Sequence, residues 1–229
     1  MGQLVNFFIF VILLPLLFSF WVEGVALLPS ILDSGSLKWF GAGLFTYVLV
    51  RLLLGGPIFR FIETAAHELI HAWVGRLCLM KPTKLEAASE GGGKTTFEST
   101  SNFLVLLAPY CFPVFTLVLL PIKAFNFARL PPVSEAINFL IGLTFGFHIL
   151  LHIAQFGFRQ TDVQKVGLIA SVGFVYTFLL IFLIIILCVV MNSAGRITDY
   201  FTASGMRALE YYGTVIQALL DLLSRVGSP

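Results

Sequence analysis

Apolar segments about as long as a lipid bilayer is thick constrain this chain more than any other feature. A helix that crosses a bilayer needs about 20 mostly apolar residues. Only 11% of the residues are charged, against about 25% in typical globular domains. The sequence therefore predicts an all-α polytopic membrane protein with about six transmembrane helices in contact with the lipid bilayer. The predicted spans are 4–27, 37–54, 58–79, 103–123, 136–157 and 166–191.

A polar segment at residues 81–100 interrupts this pattern. Its two halves, "KLEAAS" and "KTTFES", alternate in polarity and flank "EGGG", which predicts a small β-hairpin inserted after the third span. The exposed edge of such a hairpin can accept an extended peptide as an added strand. Further along, Pro109 and Pro113 in "LAPYCFP" predict a kink in the fourth span.

The last part of the chain, 196–229, has apolar residues at helical spacing and polar residues between them. It predicts a C-terminal amphipathic helix, which lies on the membrane surface, packs on the bundle or packs on another subunit. We therefore divide the chain into a transmembrane bundle, 1–195, and this helix. The net charge of +2 gives no reason to expect a nucleic-acid partner, and the sequence predicts no particular oligomer.

Histidine occurs only as two pairs with the same spacing, His67 and His71 in "HELIH" and His148 and His152 in "HILLH". Residues four apart lie on one face of a helix, so each pair can direct both rings to one place. Ionisable side chains within a membrane helix are costly and often mark function. Two such polar faces can satisfy one another, or they can bind a metal ion.

The "HELIH" spacing has a specific chemical meaning. A catalytic zinc site uses three protein ligands and leaves one position for water. His67 and His71 supply two ligands, and Glu68 lies beside them, where it can take a proton from that water. Glu63 lies one turn before His67 and could orient its ring, or it could pair with Arg60.

The residues "HELIHA" in an apolar helix, the hairpin-like insertion after them and an Asp before a later span are similar to those of a known family. The sequence resembles the site-2 protease family of intramembrane zinc metalloproteases over about residues 58–190. The resemblance implies that His67, His71 and Asp162 bind Zn²⁺ and that Glu68 activates water. It also implies membrane-protein substrates whose transmembrane segment is presented as a strand added to the insertion.

The sequence departs from the family pattern at Asp162, because Val163 follows it where the family usually has glycine. His148 and His152 therefore stay as alternative third ligands, or as groups that stabilise the transition state. Asn102 and Gln160 are candidates for holding the substrate backbone, and the alternative for both is a helix cap. The family resemblance implies a site near the cytoplasmic face of the plasma (inner) membrane.

Three functions are compatible with these residues. An intramembrane zinc endopeptidase explains the glutamate beside the histidines, because proteolysis needs a base and transport does not. A membrane metal-ion transporter or metal sensor would use the two histidine pairs as an ion site. A non-haem di-iron enzyme ranks last, because such sites usually need more ligands than these histidines supply.

Overall fold

The structure is a computed structural model, and it describes residues 2–32, 37–87, 93–98, 102–125 and 130–226. These residues form a mostly helical protein with a two-stranded antiparallel sheet. The elements, in chain order, are α1 (Gly2–Leu32), α2 (Leu37–Leu54), α3 (Pro57–Leu77), β1 (Pro82–Ala87), β2 (Gly93–Phe97), α4 (Phe103–Cys111), α5 (Val114–Ala124), α6 (Pro131–Gln155), α7 (Thr161–Val166), α8 (Leu168–Val190) and α9 (Gly195–Val226).

Four helices within the described residues are long and apolar enough to cross a membrane, namely α1, α2, α6 and α8. A fifth span results if α4 and α5, which meet at a 70° bend, are taken as one broken span. The predicted count of about six spans is therefore not confirmed. The difference lies in α3, which contains the charged residues Arg60, Glu63, Glu68 and Arg76 and is not among the helices whose length and composition suffice to cross a membrane.

The bend between α4 and α5 lies at "CFPV". Pro113 has no backbone N–H and its ring clashes with the carbonyl one turn earlier, so α4 cannot continue through it. The backbone N–H of Val114 instead donates to the carbonyl oxygen of Phe112 at 2.8 Å. The kink predicted from the prolines is present.

Glycines allow α2 and α6 to pack with their backbones in contact. A Cβ added at Gly43 would overlap the carbonyl oxygen of Phe139, and one added at Gly142 would overlap the carbonyl oxygen of Phe40. Small residues at such crossings are typical of membrane helices, where close van der Waals packing drives association. The main apolar core lies beside this crossing, between α6 and α8.

The predicted hairpin is confirmed as the antiparallel pair β1–β2, with Leu85 opposite Thr95 and Ala87 opposite Gly93. Most of its predicted turn lies outside the described residues. The chain enters β1 through Leu79, which has a positive φ of 60° and reverses the direction of the backbone after α3. The hairpin packs on α3 and covers a small apolar cluster that includes Ile70 and Val74.

The C-terminal helix α9 packs along α1, one of the three placements that its sequence allowed. The first of its contacts with α1 is near the end of α1, at Ser30, and the last is nearer the start, at Ile12, so the two helices are antiparallel. The contacts are Arg196 to Ser30, Tyr200 to Phe20, Arg207 to Glu23 and Tyr212 to Ile12. Residues 213–224 are exposed.

Candidate metal centre

Helix α3 carries the polar side chains that the sequence singled out, and it turns them inward. Gly56 precedes the helix and Pro57 begins it, a position where the missing N–H of proline costs nothing. Its buried residues include Glu63, His67, Glu68 and His71. The helix therefore presents its ionisable face to the protein interior and its apolar face outward.

His67, His71 and Asp162 converge on one point. The Nε2 atoms of the two histidines lie 3.1 Å apart, and Asp162 Oδ2 lies 3.8 Å from Nε2 of His67 and 3.2 Å from Nε2 of His71. A circle through these three atoms has a radius of about 2.0 Å, which is close to the ~2.0–2.1 Å of zinc–nitrogen and zinc–oxygen bonds. The spacing of the three donor atoms therefore suits a small metal ion.

The orientation of His71 follows from a proline in α4. A helical carbonyl normally accepts from the N–H four residues later, but the residue four after Val105 is Pro109, which has no N–H. The Val105 oxygen instead lies 2.8 Å from Nδ1 of His71. A carbonyl only accepts, so Nδ1 carries a hydrogen. Loss of the other ring proton on metal binding would therefore leave the lone pair on Nε2, which faces the cluster.

Asp162 is held by the short helix α7. Val163 and Val166 on that helix are buried, and Gly167, with φ of +100°, allows the chain to turn directly from α7 into α8. Burial raises the pKa of the Asp162 carboxyl, but the His67 and His71 rings beside it lower it, and the net effect holds that pKa well below its ordinary value. The third donor is therefore ionised near neutral pH, as a metal ligand must be.

Tyr110 of α4 is a residue of this site that the sequence analysis missed. It is fully buried, its ring packs edge-on against His67 at 5.2 Å between centroids, and its hydroxyl donates to Asp162 Oδ2 at 3.4 Å. Nδ1 of His67 is buried without a hydrogen-bond partner among the described residues. The His67 ring is therefore positioned by packing against Tyr110 and by the contacts of its Nε2, while its Nδ1 contributes no hydrogen bond within the described residues.

Glu68 lies in the same cavity as the metal cluster. This cavity has a volume of about 400 Å³ and is also lined by β2 and by Gln160 and Lys165. A second cavity, of about 590 Å³, lies between α1, α8 and α9 and contains none of the cluster residues. The smaller cavity therefore holds the candidate chemistry, with its base and its three donors facing one space.

The hydroxyl of Thr95 on β2 contacts Glu68 directly. Its Oγ1 lies 2.6 Å from Oε2 of Glu68 and 3.1 Å from the Glu68 backbone oxygen. A sequence pattern alone did not indicate this contact, because Thr95 is 27 residues away and its position depends on how the hairpin packs on α3. Glu68 is thus in contact with the strand that lies beside the cavity.

Glu63, predicted to orient His67 or to pair with Arg60, does neither. Its two carboxylate oxygens accept from Nε and Nη2 of Arg51 on α2, at 2.6 and 3.1 Å. Glu63 is 3% exposed, so this bidentate pair supplies the counter-charge that a buried carboxylate needs. Its role is to join α3 to α2.

The two candidates for holding substrate backbone lie at the starts of helices. Asn102 precedes α4, and its side-chain oxygen accepts from the backbone N–H of Val105 at 2.9 Å, as a helix cap. Gln160 precedes α7 and makes no side-chain cap. Of the two, Gln160 alone lines the cavity.

His148 and His152 are buried but lie outside the three-residue group. Nδ1 of His152 donates to the backbone oxygen of Tyr110 at 3.0 Å, a carbonyl left without its helical partner where α4 ends. Nε2 of His148 has no hydrogen-bond partner among the described residues. Neither histidine lines the cavity, so the geometry favours Asp162 over both as the third donor.

Comparison with known proteins adds no assignment. No protein-family model matches the sequence, and neither curated proteins nor solved structures gave a match. The functional argument therefore depends on the residues of the cavity and their geometry.

Proposed function

We propose that this protein is an intramembrane zinc endopeptidase that hydrolyses peptide bonds in or near the transmembrane segments of membrane-protein substrates. One observation carries the proposal: a buried glutamate, Glu68, shares a cavity with three metal-donor side chains that have zinc-like spacing. Metal transport or sensing needs the donors but no base beside them. Hydrolysis needs both.

His67, His71 and Asp162 would hold the zinc ion. When bound there, zinc would act as a Lewis acid that makes water more acidic and polarises the scissile carbonyl. Three protein donors leave one position of a tetrahedral site open, the usual arrangement in catalytic zinc sites. The ionised carboxyl of Asp162 would offset half of the charge of the ion.

Glu68 performs the proton transfers in this proposal. It takes one proton from the attacking water while the water oxygen forms a bond to the scissile carbonyl carbon. It returns that proton to the amide nitrogen as the C–N bond breaks, and the products are a carboxylic acid and an amine. Glu68 ends each cycle in the state in which it began.

The strand β2 supports a peptide substrate. Gly93, Lys94, Thr95 and Phe97 of this strand line the cavity, and β2 pairs with β1 along one edge only within the described residues. An unwound segment of a transmembrane substrate would add to the other edge, where main-chain hydrogen bonds fix its position. Its scissile bond would then lie beside Glu68.

The expected location is the plasma (inner) membrane, with the cavity near the cytoplasmic face. Four apolar helices of sufficient length support a membrane protein, and the sidedness follows from the family resemblance alone. A Lys94→Cys variant in intact cells tests it, because Lys94 is exposed at the cavity. Labelling by a membrane-impermeant thiol reagent from outside the cell would contradict this orientation.

The function is tested by reconstitution into liposomes with a panel of single-span reporter proteins. The zinc-loaded protein should cleave reporters within or near the span, should lose this activity on chelation and should regain it when zinc is restored. Zinc flux into the vesicles is measured in parallel. Flux without cleavage of any reporter would contradict the protease and favour the transporter.

A further inference from the structure

Strand β2 packs closely on α3 through three residues that lie on the same face of the strand. Side chains at alternate positions of a strand share a face, and Gly93, Thr95 and Phe97 all face α3. A Cβ added at Gly93 would overlap the carboxylate of Glu68, and a Cβ added at Gly75 of α3 would overlap the ring of Phe97. A glycine from each partner thus permits the close approach.

The polar contact in this fit involves the proposed base itself. Thr95 Oγ1 is within hydrogen-bond distance of both the carboxylate and the backbone oxygen of Glu68. A hydroxyl has one hydrogen and two lone pairs. It donates to the carboxylate, which lies at the shorter distance of 2.6 Å, and the backbone oxygen at 3.1 Å is the weaker contact.

We propose that Thr95 is a positioning residue: when the hairpin packs on α3, the Thr95 hydroxyl holds the Glu68 carboxylate in place. A glutamate side chain has three rotatable bonds, and the Thr95 hydroxyl restricts the carboxylate to the side of the cavity on which β2 lies. The base is therefore placed only when β2 is packed on α3. This inference deepens the proposed function and rests on it for its catalytic consequence, while the contact itself is independent of catalysis.

The chain offers a matched control on the same hairpin. Thr83 on β1 donates its hydroxyl to the backbone oxygen of Thr96 at 3.1 Å, inside the hairpin and outside the cavity. Thr83→Val and Thr95→Val remove the same hydroxyl from the same small sheet. Only Thr95→Val removes a contact with Glu68, and Thr95→Ser keeps the hydroxyl.

The first measurement is amide hydrogen exchange of residues 93–97 in the full-length protein in detergent, with the metal absent. Thr95→Val should accelerate exchange roughly tenfold, because the side-chain hydrogen bond that joins β2 to α3 is lost. Glu68→Ala should do the same, since it removes the other partner, and Thr95→Ser should exchange like the wild type. Unchanged exchange in Thr95→Val would overturn the contact, whether or not the protein cleaves peptides.

The second measurement is the steady-state cleavage of a reporter that the wild type cleaves. Thr95→Val should lower kcat roughly tenfold with little change in KM, whereas Thr83→Val should match the wild type and Thr95→Ser should recover most of kcat. An unchanged or raised kcat in Thr95→Val, or an effect on KM alone, would overturn the positioning role. A wild type that cleaves nothing but shows the exchange pattern would overturn the protease and leave the Thr95 contact standing.

Discussion

At the scale of single residues, His71 shows how the metal centre depends on groups outside it. Its Nε2 faces the other donors because its Nδ1 donates to the Val105 oxygen at 2.8 Å, and that oxygen is free because Pro109 lacks an N–H. Groups that orient a histidine ligand commonly change metal affinity by about 10- to 100-fold when they are altered. Pro109 thus leaves the Val105 carbonyl oxygen available as a hydrogen-bond acceptor for His71.

Replacing Pro109 tests this dependence. Pro109→Ala restores a backbone N–H at position 109. This N–H would compete with Nδ1 of His71 for the Val105 oxygen, so His71 would be held less firmly. We expect zinc affinity, measured by competition with a chromophoric chelator, to fall about tenfold. Pro121→Ala in α5 is the control, since Pro121 also lies inside a helix but does not contact the cluster. Equal affinities for the two variants would contradict the proposed role of Pro109.

The identity of the third ligand is a separate prediction. Asp162→Ala should bind much less than one zinc per chain, because two histidines alone leave the site incomplete. His148→Ala and His152→Ala should keep wild-type zinc content, since neither side chain lines the cavity. The measurement is zinc per purified chain by elemental analysis. Full zinc content in Asp162→Ala would exclude Asp162 as a required ligand.

Sequence reasoning reached the residues that local spacing determines. His67, Glu68 and His71 lie within five positions of one helix, so the helical repeat alone brings them together. Asp162 came from family resemblance, because nothing local joins it to α3. Thr95 and Tyr110 were missed, since their roles depend on how the hairpin and α4 pack, and no spacing rule relates them to α3.

At the scale of elements, the crossing of α2 and α6 fixes the frame against which α3 packs. The backbones touch at Gly43 and Gly142, and the Arg51–Glu63 pair then joins α2 to α3. This pair also explains why the prediction for Glu63 was wrong. The helical repeat placed Glu63 one turn from His67, but the Glu63 carboxylate binds the guanidinium of Arg51 on the neighbouring helix α2 instead.

Gly142→Leu tests this crossing. The new side chain would overlap the Phe40 carbonyl, so α2 and α6 must separate and lose packing. We expect destabilisation of at least about 2 kcal/mol, measured as a lower midpoint of thermal unfolding in detergent. Gly41→Leu on α2 is the control, because no atom lies within 4 Å of its added Cβ. A similar midpoint for both variants would show that the glycine contact is unimportant.

The number of spans was the weakest prediction at this scale. Hydropathy counted 58–79 as a span because most of its residues are apolar. The structure instead gives α3 a buried polar face and an apolar face that is largely exposed, with Ile58 at 73% and Leu77 at 83%. Such a helix has an exposed apolar face on one side and the cavity on the other, and a sliding average of hydropathy cannot represent that division.

At the scale of the whole molecule, α9 acts as a brace for α1. The first half of α9 makes hydrogen bonds to α1 residues between Ile12 and Ser30, whereas the side chains of 213–224 are exposed. Truncation after Tyr212 should therefore leave the thermal midpoint in detergent unchanged. Truncation after Ala194 should lower it, because α1 loses the Arg207–Glu23 pair and the tyrosine contacts. Equal midpoints for the two truncations would contradict a bracing role.

The folded protein brings together a metal-donor cluster, a base and an open strand edge, from α3, α7 and β2. These groups are separated by up to 95 positions in the sequence, from His67 to Asp162. The charged face of α3 is tolerated in a membrane protein because the same packing covers it. The proposed proteolysis would use all three components at once.

The most direct test of this account is the cleavage rate of zinc-loaded Glu68→Gln. Glutamine keeps the size of the side chain and cannot take a proton, so kcat on a reporter cleaved by the wild type should fall at least about 100-fold. Zinc content should stay at the wild-type level, because Glu68 is not one of the three donors. Glu63→Gln, a buried glutamate on the same helix, should keep measurable cleavage. Wild-type cleavage by zinc-loaded Glu68→Gln would contradict the account.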